Sequence, residues 1–132
     1  MKFRKAVIED LEWVDENSTH KRLYEAVDYV YALEDDKGLI GVGGFRMITP
    51  VTCWCWVEMG PRAKENVLTV YRSIRDWISG FSKEMGVKRL QAHIRPGFPE
   101  GTRLVEHLGF TFDDTMKDFY EDSDGLLYVR YI

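Results

Sequence analysis

Glu58 follows Trp54 by four residues and Trp56 by two, within the β-branched and aromatic run Val51–Met59. In a strand these three side chains, with Thr52, share one face. A carboxylate beside indoles is partly desolvated, which raises its affinity for a proton and suits it to general base work. The plainer reading is a strand-end glutamate in water or paired with a neighbouring arginine. His20, with Lys21 and Arg22, suits an anionic acceptor or is simply solvated. Two other histidines are candidate bases, His93 in a strand and His107 on a short helix. Each is more often a core or surface residue than a base. Tyr120 and Tyr128 would serve as acids if the last hairpin folded over a cleft.

Charge is unevenly spread. Residues 62–103 hold nine basic and four acidic side chains, a net +5 within a chain of net −4, so the remainder carries −9. Such a basic middle suits an anionic small molecule, or is the solvated side of a helix. Asp113–Asp124 holds five aspartates and one glutamate against Lys117 alone. That run would attract a cationic amine or a basic protein surface, or forms a solvated hairpin. The overall acidity argues against nucleic acid as a partner, since that affinity rests on clustered Lys and Arg. The only cysteines, Cys53 and Cys55, share a strand face, where a disulfide between them would distort the strand. No Cys or His cluster completes a zinc site, so no metal is expected and both thiols read as small buried residues suited to a reducing cytoplasm.

These residues need elements to hold them. At 132 residues and 15.5 kDa the chain is expected to form one domain, residues 1–132. No apolar run reaches the roughly 20 residues of a membrane span, and acids follow the first basic residues before any apolar signal region. Residues 2–7 read as a strand, Glu9–Glu16 as a helix, and Ser18 as the cap of a second helix bearing Leu23, Ala26 and Val27. Alternation from Tyr29 to Leu33 and from Leu39 to Met47, around Asp35-Asp36-Lys37-Gly38, predicts a hairpin. Gly41, Gly43 and Gly44 weaken that return strand unless something packs closely against it. The next strand, Val51–Met59, is apolar on both faces and should be central.

Val67, Val70, Tyr71, Ile74, Trp77, Ile78, Phe81 and Met85 recur at spacings of three and four, predicting an amphipathic helix closed by Gly86. Arg89–Ile94 is a strand, Gly101–Leu108 a short helix, and Phe110–Met116 and Leu126–Ile132 the last strands. The class is α+β: a mixed, mostly antiparallel sheet of six to seven strands with helices on both faces.

This order resembles the GNAT acetyltransferase fold. Arg4-Lys5-Ala6 followed by Asp10-Leu11 is similar to the family's opening strand and helix, and Leu39-Ile40-Gly41-Val42-Gly43-Gly44 to its glycine-rich hairpin. Arg103-Leu104-Val105-Glu106-His107-Leu108-Gly109-Phe110 resembles its helix-to-strand junction. The small size is similar to that of phage-encoded members.

The resemblance implies an N-acyltransferase that moves an acetyl group from acetyl-CoA to an amine on a small molecule or protein. Its cosubstrate would lie in an opening between the fourth and fifth strands, with the pyrophosphate on free amides at the start of the long helix. Val57, Met59, Arg62, Ala63, Lys64, Glu65, Asn66 and Val67 are the positions this places against it, and Glu58 is the implied base. The family's phosphate loop carries glycine where Glu65 stands, and a carboxylate there repels a pyrophosphate. Its tyrosine acid falls on Val105 and its asparagine on Phe98. The alternative is therefore a GNAT-like binding or structural module that has lost its cosubstrate. Four Trp and seven Phe leave aromatic surface that a homodimer would bury.

Overall fold

The turn at Asp36-Lys37 sets the register of everything before the long helix. In the computed structural model, which describes residues 1–7, 9, 10, 13 and 29–132, β1 is Lys2–Lys5, β2 Tyr29–Asp35 and β3 Gly38–Thr49. Asp35 faces Gly38 across the turn, and the Asp35 carboxylate accepts the Lys37 amide at 2.9 Å. The first strand ends at Lys5, short of the expected residue 7. Arg4 and the Val7 amide instead both donate to the Asp10 carboxylate, at 2.7–3.1 Å and 2.7 Å. The expected helices over residues 9–28 otherwise lie outside the described residues.

β4 (Thr52–Met59) leads through a 3₁₀ turn at Pro61–Asn66 into helix α1, Val67–Met85. β5 (Arg89–Ile94), helix α2 (Pro99–His107), β6 (Thr111–Met116) and β7 (Gly125–Tyr131) complete the chain. The seven strands form one sheet in the order β1-β2-β3-β4-β5-β7-β6, antiparallel except for the β4–β5 pair. The apolar strand predicted to be central is the fourth of seven. Gly86, at φ 70°, ends α1 in the left-handed conformation glycine adopts without steric cost.

Both helices pack on one face of the sheet. Val70, Ile74, Ile78 and Phe81 of α1, with Val105 of α2 and Leu108 and Phe110 beyond it, enclose Phe45, Cys53, Cys55, Leu90 and Tyr128. Phe81 stacks on Phe45 with ring centroids 3.8 Å apart, and Trp77 on Phe3 at 4.3 Å. Each such side chain removed from water stabilises the fold by about 1.5–3 kcal/mol. Cys53 and Cys55 are buried and free, and burial pushes the Cys55 thiol pKa up. The opposite face is covered too, because Ala32 and Val42 expose nothing although they point away from both helices.

Candidate functional site

The parallel pairing of β4 and β5 is short. Thr52, Cys53 and Trp54 face Arg89, Leu90 and Gln91, and beyond that point no ladder joins the strands. β4 continues to Met59 paired with β3, and β5 to Ile94 paired with β7. The result is a wedge in the middle of the sheet whose apex is Trp54 and Gln91. Cys55 Sγ, donating to the Gln91 carbonyl at 3.4 Å, lies just inside the apex.

On the face away from the helices, the mouth of this wedge is lined by aromatic, acidic and imidazole groups. Trp54 meets the edge of His93 across the apex, with ring centroids 5.6 Å apart. The Trp56 indole lies against Gly44, where an added Cβ would sit 2.6 Å from its Nε1. That contact answers the cost of glycine in β3: a larger residue would displace the indole.

The β6–β7 connection folds back over the same place. Tyr120 Oη is 2.8 Å from His93 Nδ1, and Phe119 lies 4.7 Å from the His93 ring. Arg95, just past β5, holds the connection with its guanidinium 4.3 Å above the Tyr120 ring and an ion pair to Asp122. Burial pushes the Tyr120 phenol pKa up to about 12; Arg95 opposes the shift, and the nearby Glu58 charge adds to it. Glu58 on one arm of the wedge and His93 on the other thus both act on Tyr120. Glu58, read from its spacing to Trp54 and Trp56, is half-buried on that face. Tyr128, the other tyrosine considered as an acid, is instead packed in the helix-covered core at 5% exposure.

The start of α1 is built differently. Val57 and Met59 lie on the splayed part of β4, and the 3₁₀ turn begins where Gly60 donates to the Ile40 carbonyl at 2.9 Å. Ala63 donates back to Gly60 at 3.1 Å, while Lys64, Glu65, Asn66 and Val67 are exposed. Glu65 belongs to this turn and not to the first turn of α1, and no side chain caps the helix. The 3₁₀ turn runs directly into α1, so its carbonyls are the acceptors for the first amides of the helix. Arg62 does not face the helix start either. Both oxygens of Asp35 accept from its Nη2 at 2.6 Å, holding the Asp35 carboxyl below and the guanidinium above their usual pKa ranges.

No protein-family model and no curated protein matches this sequence. Solved structures do match. A spermidine N-acetyltransferase from Vibrio cholerae superposes with a TM-score of 0.79 at 12% identity, over 99% of this chain and 95% of that one. Ard1 from Thermoplasma volcanium gives 0.77 at 16% identity, over 99% and 97% of the two chains. A ribosomal-protein-alanine N-acetyltransferase from Brucella melitensis gives 0.73 at 17%, over the whole of both. The chain has the GNAT fold.

Within the GNAT fold, the residue aligned with the usual tyrosine acid, Val105, is 7% exposed in the core and carries no proton to give. Phe98, aligned with the asparagine, is 52% exposed and precedes α2. Reasoning from the sequence singled out Glu58 and the 57–67 segment, and Asp122 only as part of an acidic run, but passed over Arg95 and Phe119. It treated His93 as a core or surface residue. The period-two pattern puts His93, Gln91 and Arg89 on one face, but only the β4–β5 register reveals that this is the face of Trp54 and Glu58. Among the described residues, no cluster of His, Cys, Asp and Glu side chains could hold a metal ion. No helix among them is long and apolar enough to cross a membrane.

Proposed function

We propose that this chain transfers an acetyl group from acetyl-CoA to a primary amine. The observation that carries the reading is the wedge between β4 and β5, where the two strands diverge after three paired residues, beside a helix start without a side-chain cap. An extended thioester arm fits between two such strands, and a pyrophosphate fits the exposed turn before α1, with Lys64 in solvent beside it and the positive end of the helix dipole behind it. Acetyl-CoA supplies the acyl group and a thiol leaving group. The rest is the work of the chain's own residues.

Glu58 takes the proton that the amine gives up as it becomes a nucleophile, and the indoles of Trp54 and Trp56 exclude water from that carboxylate. Trp54, Trp56, Phe119 and Tyr120 present ring faces and edges to an incoming ammonium group, and Glu58 supplies opposite charge. Holding the amine against the thioester is itself a large part of catalysis, up to roughly 7–11 kcal/mol in the best-oriented cases.

A second reading has a specific observation behind it. Arg62 is engaged with Asp35, and the carboxylate of Glu65 stands exposed just before α1, so a GNAT-fold module without a cosubstrate is the rival. Calorimetric titration of acetyl-CoA and CoA at low salt separates the two, with Glu65→Gly alongside the native chain. Saturable micromolar binding by the native protein supports the transferase. Spermidine and an alanine-initiated peptide, the acceptors named for the structural neighbours, are then the first amines to assay by thiol release. Binding by Glu65→Gly but not by the native chain would mean a site closed by substitution, and acyl transfer would be abandoned.

A further inference from the structure

Resting on that reading, we propose that Tyr120, held by His93, is the group that protonates the departing thiolate. The usual source of that proton is missing, since Val105 occupies its position in the core. Tyr120 comes from a different element, the β6–β7 connection, and reaches the mouth of the wedge from the opposite arm to Glu58.

Its place is fixed by contacts on several sides. His93 Nδ1 lies 2.8 Å from the phenol oxygen, Arg95 stacks on the ring, and Arg95 also pairs with Asp122 two residues further on. Tyr120 N donates to the Ser123 carbonyl at 2.9 Å and Asp118 N to the Asp124 carboxylate at 2.8 Å, closing the connection on itself. Phe119 packs where a Cβ on Gly125 would meet it at 2.9 Å, so the start of β7 is shaped to this fold-back. An acid must be protonated before it acts, and a half-buried phenol with a raised pKa is fully protonated at neutral pH.

The step balances as follows. The amine nitrogen forms a bond to the thioester carbon and passes a proton to Glu58. The carbon–sulfur bond breaks, its electron pair goes to sulfur, and the Tyr120 phenol proton goes to the thiolate. Water returns a proton to the phenolate, whose oxygen the His93 Nδ1–H holds in place, and Glu58 releases its own proton to water. This route requires the His93 tautomer that carries hydrogen on Nδ1, so that the imidazole donates to Tyr120 and leaves the phenol hydrogen for sulfur. His93 is then a positioning residue and Tyr120 the catalytic one.

The test pairs Tyr120→Phe kinetics with the nitrogen-15 NMR spectrum of the imidazoles, His93 being assigned by its loss in His93→Gln. Phenylalanine keeps the ring contacts to Arg95, Phe119 and His93 and removes only the hydroxyl. The expected results are an Nδ1–H tautomer at His93, unchanged calorimetric affinity for acetyl-CoA, and a kcat lowered roughly 10²-fold with either amine acceptor. Unchanged kcat with intact CoA binding, or a His93 protonated on Nε2 alone, would overturn this role for Tyr120 and leave the transferase reading standing. Failure of the native chain to bind CoA would overturn both.

Discussion

At the mouth of the wedge, groups from β4, β5 and the β6–β7 connection act on one another: Trp54 on His93, His93 on Tyr120, Glu58 on Tyr120. At the start of α1, nine residues later than Glu58 in sequence, the corresponding groups are turned aside. Arg62 is spent on Asp35, and Lys64 and Glu65 lie exposed with opposite charges one residue apart. On the transferase reading, the groups proposed for the chemistry are thus assembled more completely than those proposed to hold the cosubstrate. Binding energy and reactivity reside in separate parts of the structure, so substitutions should move one without the other.

The largest effect is expected at the wedge. Glu58→Gln keeps the shape and removes the proposed base, and kcat should fall by about 10²–10³-fold while acetyl-CoA affinity stays within a factor of two. Steady-state kinetics beside calorimetry would show this. Equal losses in kcat and affinity would break the division between the two regions. Next is Gly44→Ala, whose Cβ would lie 2.6 Å from Trp56 Nε1 and 2.8 Å from the Tyr29 carbonyl oxygen. A main-chain oxygen that close cannot be avoided by a side-chain rotation. The expected cost is about 1–3 kcal/mol, read as a melting temperature lower by roughly 5–10 °C.

Much of the frame was legible in the sequence because it depends on local periodicity. The spacing of Val70, Ile74, Ile78 and Phe81 predicts a helix, and α1 runs over Val67–Met85 with those four side chains buried. Both strand-face assignments around Cys53 and Trp54 follow from alternation alone. The site was only half legible, and the reason is separation along the chain. Glu58 shares a strand with its tryptophans, so spacing found it. His93 and Tyr120 are 27 residues apart, as are Asp35 and Arg62, and no local period reports such contacts. The wedge itself follows from a parallel ladder only three residues long, a property of how two strands diverge and not of either strand's composition. The 3₁₀ turn at 61–66 was also unforeseen, and it moves Glu65 out of the first turn of α1.

Two arginine–aspartate pairs sharpen the contrast between structure and binding. Arg4 and Asp10 are the buried pair, the Asp10 side chain being 7% exposed. The Arg4 hydrogen bonds hold the Asp10 pKa below its usual value; burial opposes this and the Val7 amide assists. A depressed carboxylate pKa contributes stability above the unfolded value, near pH 4, and loses it as pH falls through the folded value. Asp10→Asn should cost about 1–3 kcal/mol at neutral pH. The gap from the native chain, measured by denaturant titration, should close below about pH 4.

The smallest effect is expected at the second pair, and it bears most directly on the cosubstrate. Asp35 and Arg62 are both about a quarter exposed, so their pairing adds little to the fold. Asp35→Asn should leave the melting temperature essentially unchanged. What it does is release a guanidinium with a planar donor fork, suited to phosphate oxygens, beside the turn that leads into α1. Acetyl-CoA affinity should then tighten by roughly three- to fivefold at low salt, the size of one exposed charge contact. The gain should shrink as added salt brings the Debye length below about 8 Å. An unchanged dissociation constant would place Arg62 outside the reach of the anion and leave Lys64 as the cation to test. A tighter one that fades with salt would mean that Asp35 holds the grip on the cosubstrate back, while the groups at the wedge stay as they are.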